Sequence, residues 1–251
     1  MKTARVLILG GTTEASALAR ALVDRTDLNA VLSLAGRTEA PTPPPITHRI
    51  GGFGGVEGLI DYLKREAFSG VIDATHPFAA QMTRHAAEAC AFLNLPRLVF
   101  TRPEWRETEG DRWHHVSDVH ESVDALGREA RRVFLTVGRL SLPAFREAPQ
   151  HHYLIRSIDQ PVASEMPLKN TLILARGPFS VADEIQLMRN ERIDILVTKN
   201  SGGTQTDAKL EAARVLRIPV IIIERPGLPE SRVTHNLEEA LAFIETHGRA
   251  P

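Results

Sequence analysis

The sequence predicts an α/β protein with two similar domains, each built on a parallel sheet that helices cover on both faces. Three observations lead to this fold class. Short apolar runs alternate with helical patterns over the 251 residues, a double-glycine turn follows the first run, and the first half of the chain is repeated in the second. Strands that are apolar throughout belong to sheets buried on both sides, and alternating strands and helices are typical of parallel sheets.

The first element combines a strand, a glycine turn and the start of a helix. The apolar run Val6–Leu9 ends at a glycine pair, and a helical stretch follows. Glycine permits a tight turn and close approach of a ligand, and a helix N-terminus attracts phosphate. We therefore predict a cofactor-binding loop made of Gly10, Gly11, Thr12, Thr13 and Glu14. The match to G-x-G-x-x-G is incomplete, so a strand–turn–helix without a ligand stays open.

The remaining elements follow from the same periodicity. We predict further strands at about 30–35, 47–50, 70–74, 97–101, 133–137, 152–157, 171–175, 194–198 and 219–223, with the first strand at about 4–9. Helical patterns lie between most of them, at 14–24, 56–66, 79–93, 180–189 and 207–216.

An internal repeat organises the chain. Thr198 follows Thr75 by 123 residues, and the same interval separates Pro219 from Pro96, Arg225 from Arg102 and Pro226 from Pro103. Such a constant interval indicates two copies of one βα design. We place the boundary near Arg131, which gives Rossmann-like domains at residues 1–131 and 132–251. Ligands bind beyond the carboxyl ends of parallel strands, so we expect the two domains to face a central cleft.

Composition excludes several classes of function. Hydrophobic content is 43% and charged content 24%, as in an ordinary globular protein, and the net charge of −1 gives no basic field for nucleic acid. No segment is apolar for long enough to span a membrane. The single cysteine, Cys90, excludes an internal disulfide and fits a cytoplasmic location. Its apolar helical surroundings predict a core residue rather than a nucleophile.

The tip of the second strand predicts the cofactor. Dinucleotide-binding folds place an acidic residue there for NAD and an arginine for the 2′-phosphate of NADP. Here the strand is followed by Arg37, whose planar fork can grip a phosphate. A solvated surface arginine is the alternative, but the glycine turn upstream favours recognition of NADPH.

Two loops in equivalent positions of the repeat carry the candidate catalytic residues. Thr75 and Pro77 suit the start of a helix, whereas a local role does not explain His76, which we expect to project into the cleft. Lys199 occupies the equivalent position, and Asn200, Ser201 and Gly202 after it suit an anionic or amide-bearing ligand. We predict that these three residues, together with Thr75 and His76, bind the cofactor. A flexible loop is the alternative.

Several other chemistries lack their signature. Neither Tyr62 nor Tyr153 is followed four residues later by the lysine of short-chain dehydrogenases. The two His-His pairs have no second ligand pair at helical spacing, so we predict no metal site. No Gly-x-Ser-x-Gly elbow occurs.

Four segments resemble the precorrin-6A reductase family of cobalamin biosynthesis. They are Ile8–Ala15, Asp73–Ala79, Arg102–Trp105 and Thr198–Gly202, in the family's order and spacing. The resemblance implies that NADPH reduces one ring double bond of precorrin-6A, with hydride added to a macrocycle carbon and a proton to its neighbour, giving precorrin-6B. Either the metal-free or the cobalt-containing macrocycle fits this resemblance.

The implied substrate suggests roles for the cationic residues. A polycarboxylate tetrapyrrole would be complemented by Arg102, Arg106, Arg139, Arg176 and Lys199, and Trp105 would either stack on the macrocycle or pack the connector. We expect His76 to position the cofactor or relay a proton, and Lys199 to balance charge. The alternatives are another NADP-linked reductase or epimerase, and a non-catalytic NADP-sensing module. We expect a monomer without nucleic-acid or membrane partners; transient contact with neighbouring pathway enzymes stays open.

Overall fold

A computed structural model describes residues 4–36 and 43–248, which fold into two compact units. One unit contains the described residues up to Pro103 together with those from Gly227 onward, and the other comprises Glu104–Pro226. Each unit is built on one six-stranded sheet in which all strands are parallel.

The sheet of the first unit has the strand order β3-β2-β1-β4-β5-β12. Its strands are β1 (Val6–Leu9), β2 (Ala30–Leu34), β3 (His48–Ile50), β4 (Gly70–Asp73), β5 (Arg97–Phe100) and β12 (Arg232–Thr234). Its helices are α1 (Thr13–Ala21), α2 (Val56–Arg65), α3 (Ala80–Leu93) and α7 (Leu237–His247). Alternate residues of β1 bury opposite faces: Val6 and Ile8 pack in the cluster with α1 and α7, and Leu7 and Leu9 in the cluster with α2 and α3.

The second unit has the equivalent order, β9-β8-β7-β10-β11-β6. Its strands are β6 (Trp113–Val116), β7 (Arg132–Thr136), β8 (His152–Ser157), β9 (Asn170–Leu174), β10 (Ile195–Lys199) and β11 (Val220–Ile223). Its helices are α4 (Val119–Ala125), α5 (Val181–Asn190) and α6 (Ala208–Leu216), and short 3₁₀ segments cover Arg139–Glu147 and Ala163–Glu165. The first of these stands where the first unit has α1.

The two units exchange their sixth strands. The strand β6 lies in the first half of the chain but pairs with β11, and β12 comes at the end of the chain but pairs with β5. The units therefore do not follow the predicted boundary near Arg131. Residues 104–131 belong to the second unit, and the first unit is completed by the C-terminal segment. The physical reason is that the outer strand of each sheet is supplied by the other half of the repeat.

The predicted α/β fold class with two parallel sheets is confirmed, and the ten predicted strands are found within two residues of their expected bounds. The expected cleft stays a prediction. The proposed roles of Thr75 and Pro77 at a helix start are wrong, because α3 begins at Ala80 and has no side-chain cap. None of the helices in the described part of the chain has the length and apolar character needed to cross a bilayer.

Candidate functional site

The glycine turn of the first unit lies at the carboxyl end of β1, where the strand order reverses between β1 and β4. A Cβ on Gly10 would come within 2.6 Å of Leu32 Cδ1, so glycine keeps the turn close to β2. Gly11 has a φ of +114°, which side-chain-bearing residues rarely adopt, and the space where its Cβ would lie is open. Crevices at such reversals are where open α/β sheets bind ligands, so the turn fits a dinucleotide.

Thr12 ties the ends of β1 and β4 together. Its hydroxyl accepts a hydrogen bond from Ala15 N at 3.2 Å, which caps α1, and donates one to Ala74 O at 2.7 Å. The hydroxyl proton is therefore committed to the protein. A phosphate at this turn would meet backbone N–H groups of α1 rather than the Thr12 hydroxyl.

Arg102 and Glu14, which we assigned to substrate and cofactor respectively, lie together at this turn. Arg102 Nη1 is 3.2 Å from Glu14 Oε2 and 3.4 Å from Thr13 Oγ1, and both charged side chains are mostly buried. The Thr13 hydroxyl also donates to the Glu14 carboxylate. The ion pair offsets the negative charge of Glu14 at a helix end that would otherwise attract anions.

The loop after β4 is shaped by a buried carboxylate. Asp73 is 2% exposed, and its Oδ1 accepts hydrogen bonds from Thr75 N at 3.1 Å and Thr75 Oγ1 at 2.7 Å. Its Oδ2 is buried, and no hydrogen-bond partner reaches it within the described residues. Thr75, predicted as cofactor-binding, therefore uses its side chain to shape the loop.

His76 follows in the same loop and is half-buried. Phe78 N donates to His76 Nδ1 at 3.2 Å, and Ala79 N donates to His76 O at 2.7 Å. Because Nδ1 accepts, the neutral imidazole carries its proton on Nε2. This arrangement gives His76 a defined donor atom.

In the second unit, Lys199 and Arg139 follow neighbouring strands at the reversal of strand order. Lys199 ends β10, and Arg139 comes after β7, which pairs with β10. Burial lowers the pKa of the Lys199 ammonium. The exposed Arg176 follows the edge strand β9, and the exposed Arg106 lies in the segment before β6. Of the predicted substrate-binding cations, Lys199, Arg139 and Arg176 therefore lie at or just after the carboxyl ends of strands in the second unit. Arg106 instead precedes a strand of that unit, and Arg102 belongs to the first unit.

Asn200 and Trp105 are occupied with each other. The buried Asn200 amide accepts from Trp105 N at 2.9 Å and donates to Trp105 O at 3.3 Å. The Trp105 indole N–H donates to Gly203 O at 2.7 Å, and Lys209 Nζ lies 4.7 Å from its ring centroid. For Asn200 the side chain thus has a structural role, and for Trp105 packing of the connector is the interpretation that the contacts favour.

Sequence reasoning missed Arg225 as a residue of this loop. Its Nε donates to Asn200 O at 3.0 Å and its Nη2 to Ser201 O at 3.1 Å. The available signal was its place in the repeat, 123 residues after Arg102.

A buried ion pair, also missed, supports the loop that carries Arg176. Arg156 on β8 and Glu184 on α5 form a two-pronged pair with side-chain exposures of 7% and 2%, and Nη2 lies 2.9 Å from Oε2. The guanidinium also stacks 3.8 Å from the ring centroid of Phe179. The pair therefore joins β8, α5 and the loop Ala175–Phe179.

The sequence also singled out Arg37 and Cys90. Arg37 lies outside the described residues. Cys90 is buried in α3, and burial raises the pKa of its thiol to about 11, as suits a core residue. Across residues 4–36 and 43–248, no three His, Cys, Asp or Glu side chains group as a metal site would require.

Comparison with known proteins gives consistent matches. A sequence model of the family described as "Precorrin-6x reductase CbiJ/CobK" matches residues 5–245. The precorrin-6A reductase of Rhodobacter capsulatus is 49% identical over 98% of this chain and 98% of its own length, and that of Rhodococcus erythropolis is 50% identical over 96% and 98%. A cobalt-precorrin-6A reductase of Synechocystis is 27% identical over 97% of each chain. A solved structure described as CobK precorrin-6A reductase aligns with a TM-score of 0.90 at 48% identity, covering 99% of this chain and 98% of that one.

Proposed function

This chain belongs to the precorrin-6x reductase family, and we propose that it reduces precorrin-6A in cobalamin biosynthesis. The observation that carries the function is near-complete coverage at about half identity by relatives that bear this name, joined to a structural match of the same extent. The protein is thus an oxidoreductase that acts on a tetrapyrrole.

The metal-free macrocycle is the substrate that we propose. The relatives named for precorrin-6A are 49% and 50% identical to this chain, whereas the full-length relative named for the cobalt form is 27% identical. The higher identity to the relatives named for precorrin-6A supports the metal-free form.

NADPH is the electron donor that we propose, with the first unit as its binding domain. When bound, the reduced nicotinamide supplies the hydride. Gly11 leaves the backbone open to the dinucleotide, and α1 directs N–H groups toward a phosphate. Arg37, which follows the second strand in the sequence, supports a preference for the 2′-phosphate. Thr12 keeps the β1 and β4 loops joined, so the turn is shaped before the dinucleotide arrives.

His76 and the cations of the second unit supply the remaining roles. The Nε2 proton of His76 is the group that we propose positions the cofactor or relays a proton, since Nδ1 is held by Phe78 N. Lys199 balances negative charge on the cofactor or the macrocycle, and Arg139 and Arg176 bind substrate carboxylates. Burial lowers the pKa of Lys199, which makes its ammonium a better proton donor than an exposed lysine.

The deciding experiment supplies purified protein with NADPH and either precorrin-6A or its cobalt form, and follows oxidation of the nicotinamide. We expect oxidation only when a macrocycle is present, and faster with the metal-free one. Absence of oxidation with both macrocycles overturns the proposed function.

A variant tests the role of His76. His76→Ala should lower kcat more than it weakens NADPH binding, because the substitution leaves in place the glycine turn after β1 that we propose binds the dinucleotide. His48→Ala is the matched control. His48 is exposed on the edge strand β3, its ring is hydrogen-bonded to the Ile46 carbonyl just before that strand, and its replacement should leave kcat unaltered. Unchanged turnover of a saturated His76→Ala enzyme removes His76 from the mechanism.

A further inference from the structure

We propose that the loop Ser201–Thr204 binds one anionic oxygen group, a carboxylate or a phosphate, through its backbone N–H groups, and that Arg225 and Trp105 are the positioning residues that orient it. The inference rests on the proposed function, which brings a polycarboxylate macrocycle and a phosphate-bearing dinucleotide to this protein. It adds two residues whose side chains act on the loop rather than on the ligand.

Two carbonyl groups of the loop, and that of Asn200 just before it, are held by side chains of the same unit. Arg225 donates to Asn200 O and Ser201 O from two different guanidinium nitrogens, at 3.0 and 3.1 Å. The Trp105 indole N–H donates to Gly203 O at 2.7 Å. Three carbonyls within four residues are thus drawn toward side chains of the same unit. Glu104 lies 3.6 Å from Arg225 Nε and balances its charge, so we assign Arg225 to the loop and not to the anion.

The N–H groups that follow the held loop carbonyls therefore face away from the Arg225 and Trp105 side chains. In a planar trans peptide the C=O of one residue and the N–H of the next point in opposite directions. With Ser201 O held by Arg225 and Gly203 O held by Trp105, the N–H groups of Gly202 and Thr204 point away from those side chains. No backbone carbonyl in the described part of the chain accepts a hydrogen bond from the N–H of Gly202, Gly203 or Thr204.

Conformation and charge both suit an anion at this place. Gly202 and Gly203 have φ values of +71° and +75°, and runs of residues in such turns form concavities lined by N–H groups that bind anions. Lys199 stands at the start of the loop, at the carboxyl end of β10. The Asn200 amide fixes the other side of the loop to the Trp105 backbone, so the concavity does not depend on the ligand for its shape.

The test uses two variants that change the positioning groups and keep the loop sequence intact. Trp105→Phe removes the indole N–H and keeps an aromatic ring, and Arg225→Lys keeps the charge but loses the two-nitrogen fork. Arg112→Gln is the matched control. Arg112 Nη1 also donates to a carbonyl, Arg217 O at 3.0 Å, but Arg112 precedes β6 and so lies at the amino-terminal ends of the strands, whereas the loop follows the carboxyl end of β10. For each, calorimetry gives the dissociation constants of NADP⁺ and precorrin-6A, and steady-state assays give KM and kcat.

We expect each positioning variant to raise the dissociation constant of one of the two ligands about tenfold, which is the effect of losing hydrogen bonds to a charged group. The value of kcat should change less than about twofold. A loss for precorrin-6A identifies a substrate carboxylate at the loop, and a loss for NADP⁺ identifies a phosphate. If Arg225→Lys does not fold, Trp105→Phe decides. Unaltered affinity for both ligands in a folded variant, or an equal loss in Arg112→Gln, overturns the proposal. Because calorimetry needs no turnover, a wild-type protein that binds both ligands without reducing precorrin-6A would refute the proposed function and leave this test valid.

Discussion

Replacing Thr12 with valine removes the hydrogen bonds that join the two loops at the strand-order reversal of the first unit, while it keeps the shape of the side chain. The cap on α1 contributes about 1 kcal/mol. The Ala74 carbonyl, whose residue is fully buried, loses a donor at 2.7 Å, which costs about 1 kcal/mol more. We expect Thr12→Val to lower the free energy of unfolding by about 2 kcal/mol, roughly a thirtyfold change in the folded-to-unfolded ratio.

Urea unfolding followed by far-ultraviolet circular dichroism measures this loss, with Thr12→Ser as the control. Serine retains the hydroxyl that accepts from Ala15 N and donates to Ala74 O, so its loss should be well under half of that of valine. The same variants should separate in their KM for NADPH, because only valine leaves the two loops untied. If serine loses as much as valine, or if valine loses less than about 0.5 kcal/mol, the hydrogen bonds do not have the assigned role.

Three further predictions concern single side chains. Glu184→Gln leaves the Arg156 charge buried without its carboxylate and should lower stability by about 3 kcal/mol in urea, with much of the loss recovered in the Arg156→Met/Glu184→Leu pair; a loss below about 1 kcal/mol would show that the charge is solvated in another way. Burial lowers the pKa of Lys199, so KM for the macrocycle should rise with pH as this ammonium deprotonates, at a pH below the usual range for lysine. Lys199→Arg should move that rise to higher pH, because arginine keeps its charge. Identical pH profiles for the two enzymes would exclude Lys199 as the titrating group. Arg37→Ala should weaken NADPH binding tenfold or more, because charge-assisted hydrogen bonds contribute about 1.5–3 kcal/mol, and should leave NADH binding almost unchanged. Equal losses of affinity for both cofactors would mean that Arg37 only supports its loop.

Most strands were predictable because each central strand is a continuous apolar run. The two exchanged strands were missed for a physical reason. Edge strands have one neighbour and one open side, so β6 contains two exposed histidines and β12 an exposed Arg232 and Val233, with no apolar run to mark them. The repeat itself held a hint, since Val233 and Val116 precede similar helical stretches.

The candidate site was predictable by position but not by partner. The double-glycine turn and the loops at His76 and Lys199 follow from the end of each strand. In contrast, the pairing of Arg102 with Glu14 and that of Asn200 with Trp105 join residues that are 88 and 95 positions apart. Such long-range contacts depend on the packing of the whole unit. Local patterns therefore identified these polar side chains without revealing that the protein itself uses several of them.

The exchanged strands also determine the order in which the units can be completed during synthesis. Chains emerge from the N-terminus, and domains ordinarily fold in that order. Here Glu104–Pro226 is continuous and can close as soon as it has emerged, whereas the earlier-made unit waits for β12 and α7. Until then the outer edge of β5 is unpaired, and the apolar face that Phe243 and Ile244 will cover is open to water. The next strand to be translated is β6, so the nascent chain must keep β6 from pairing with β5 until its own partner, β11, has been made.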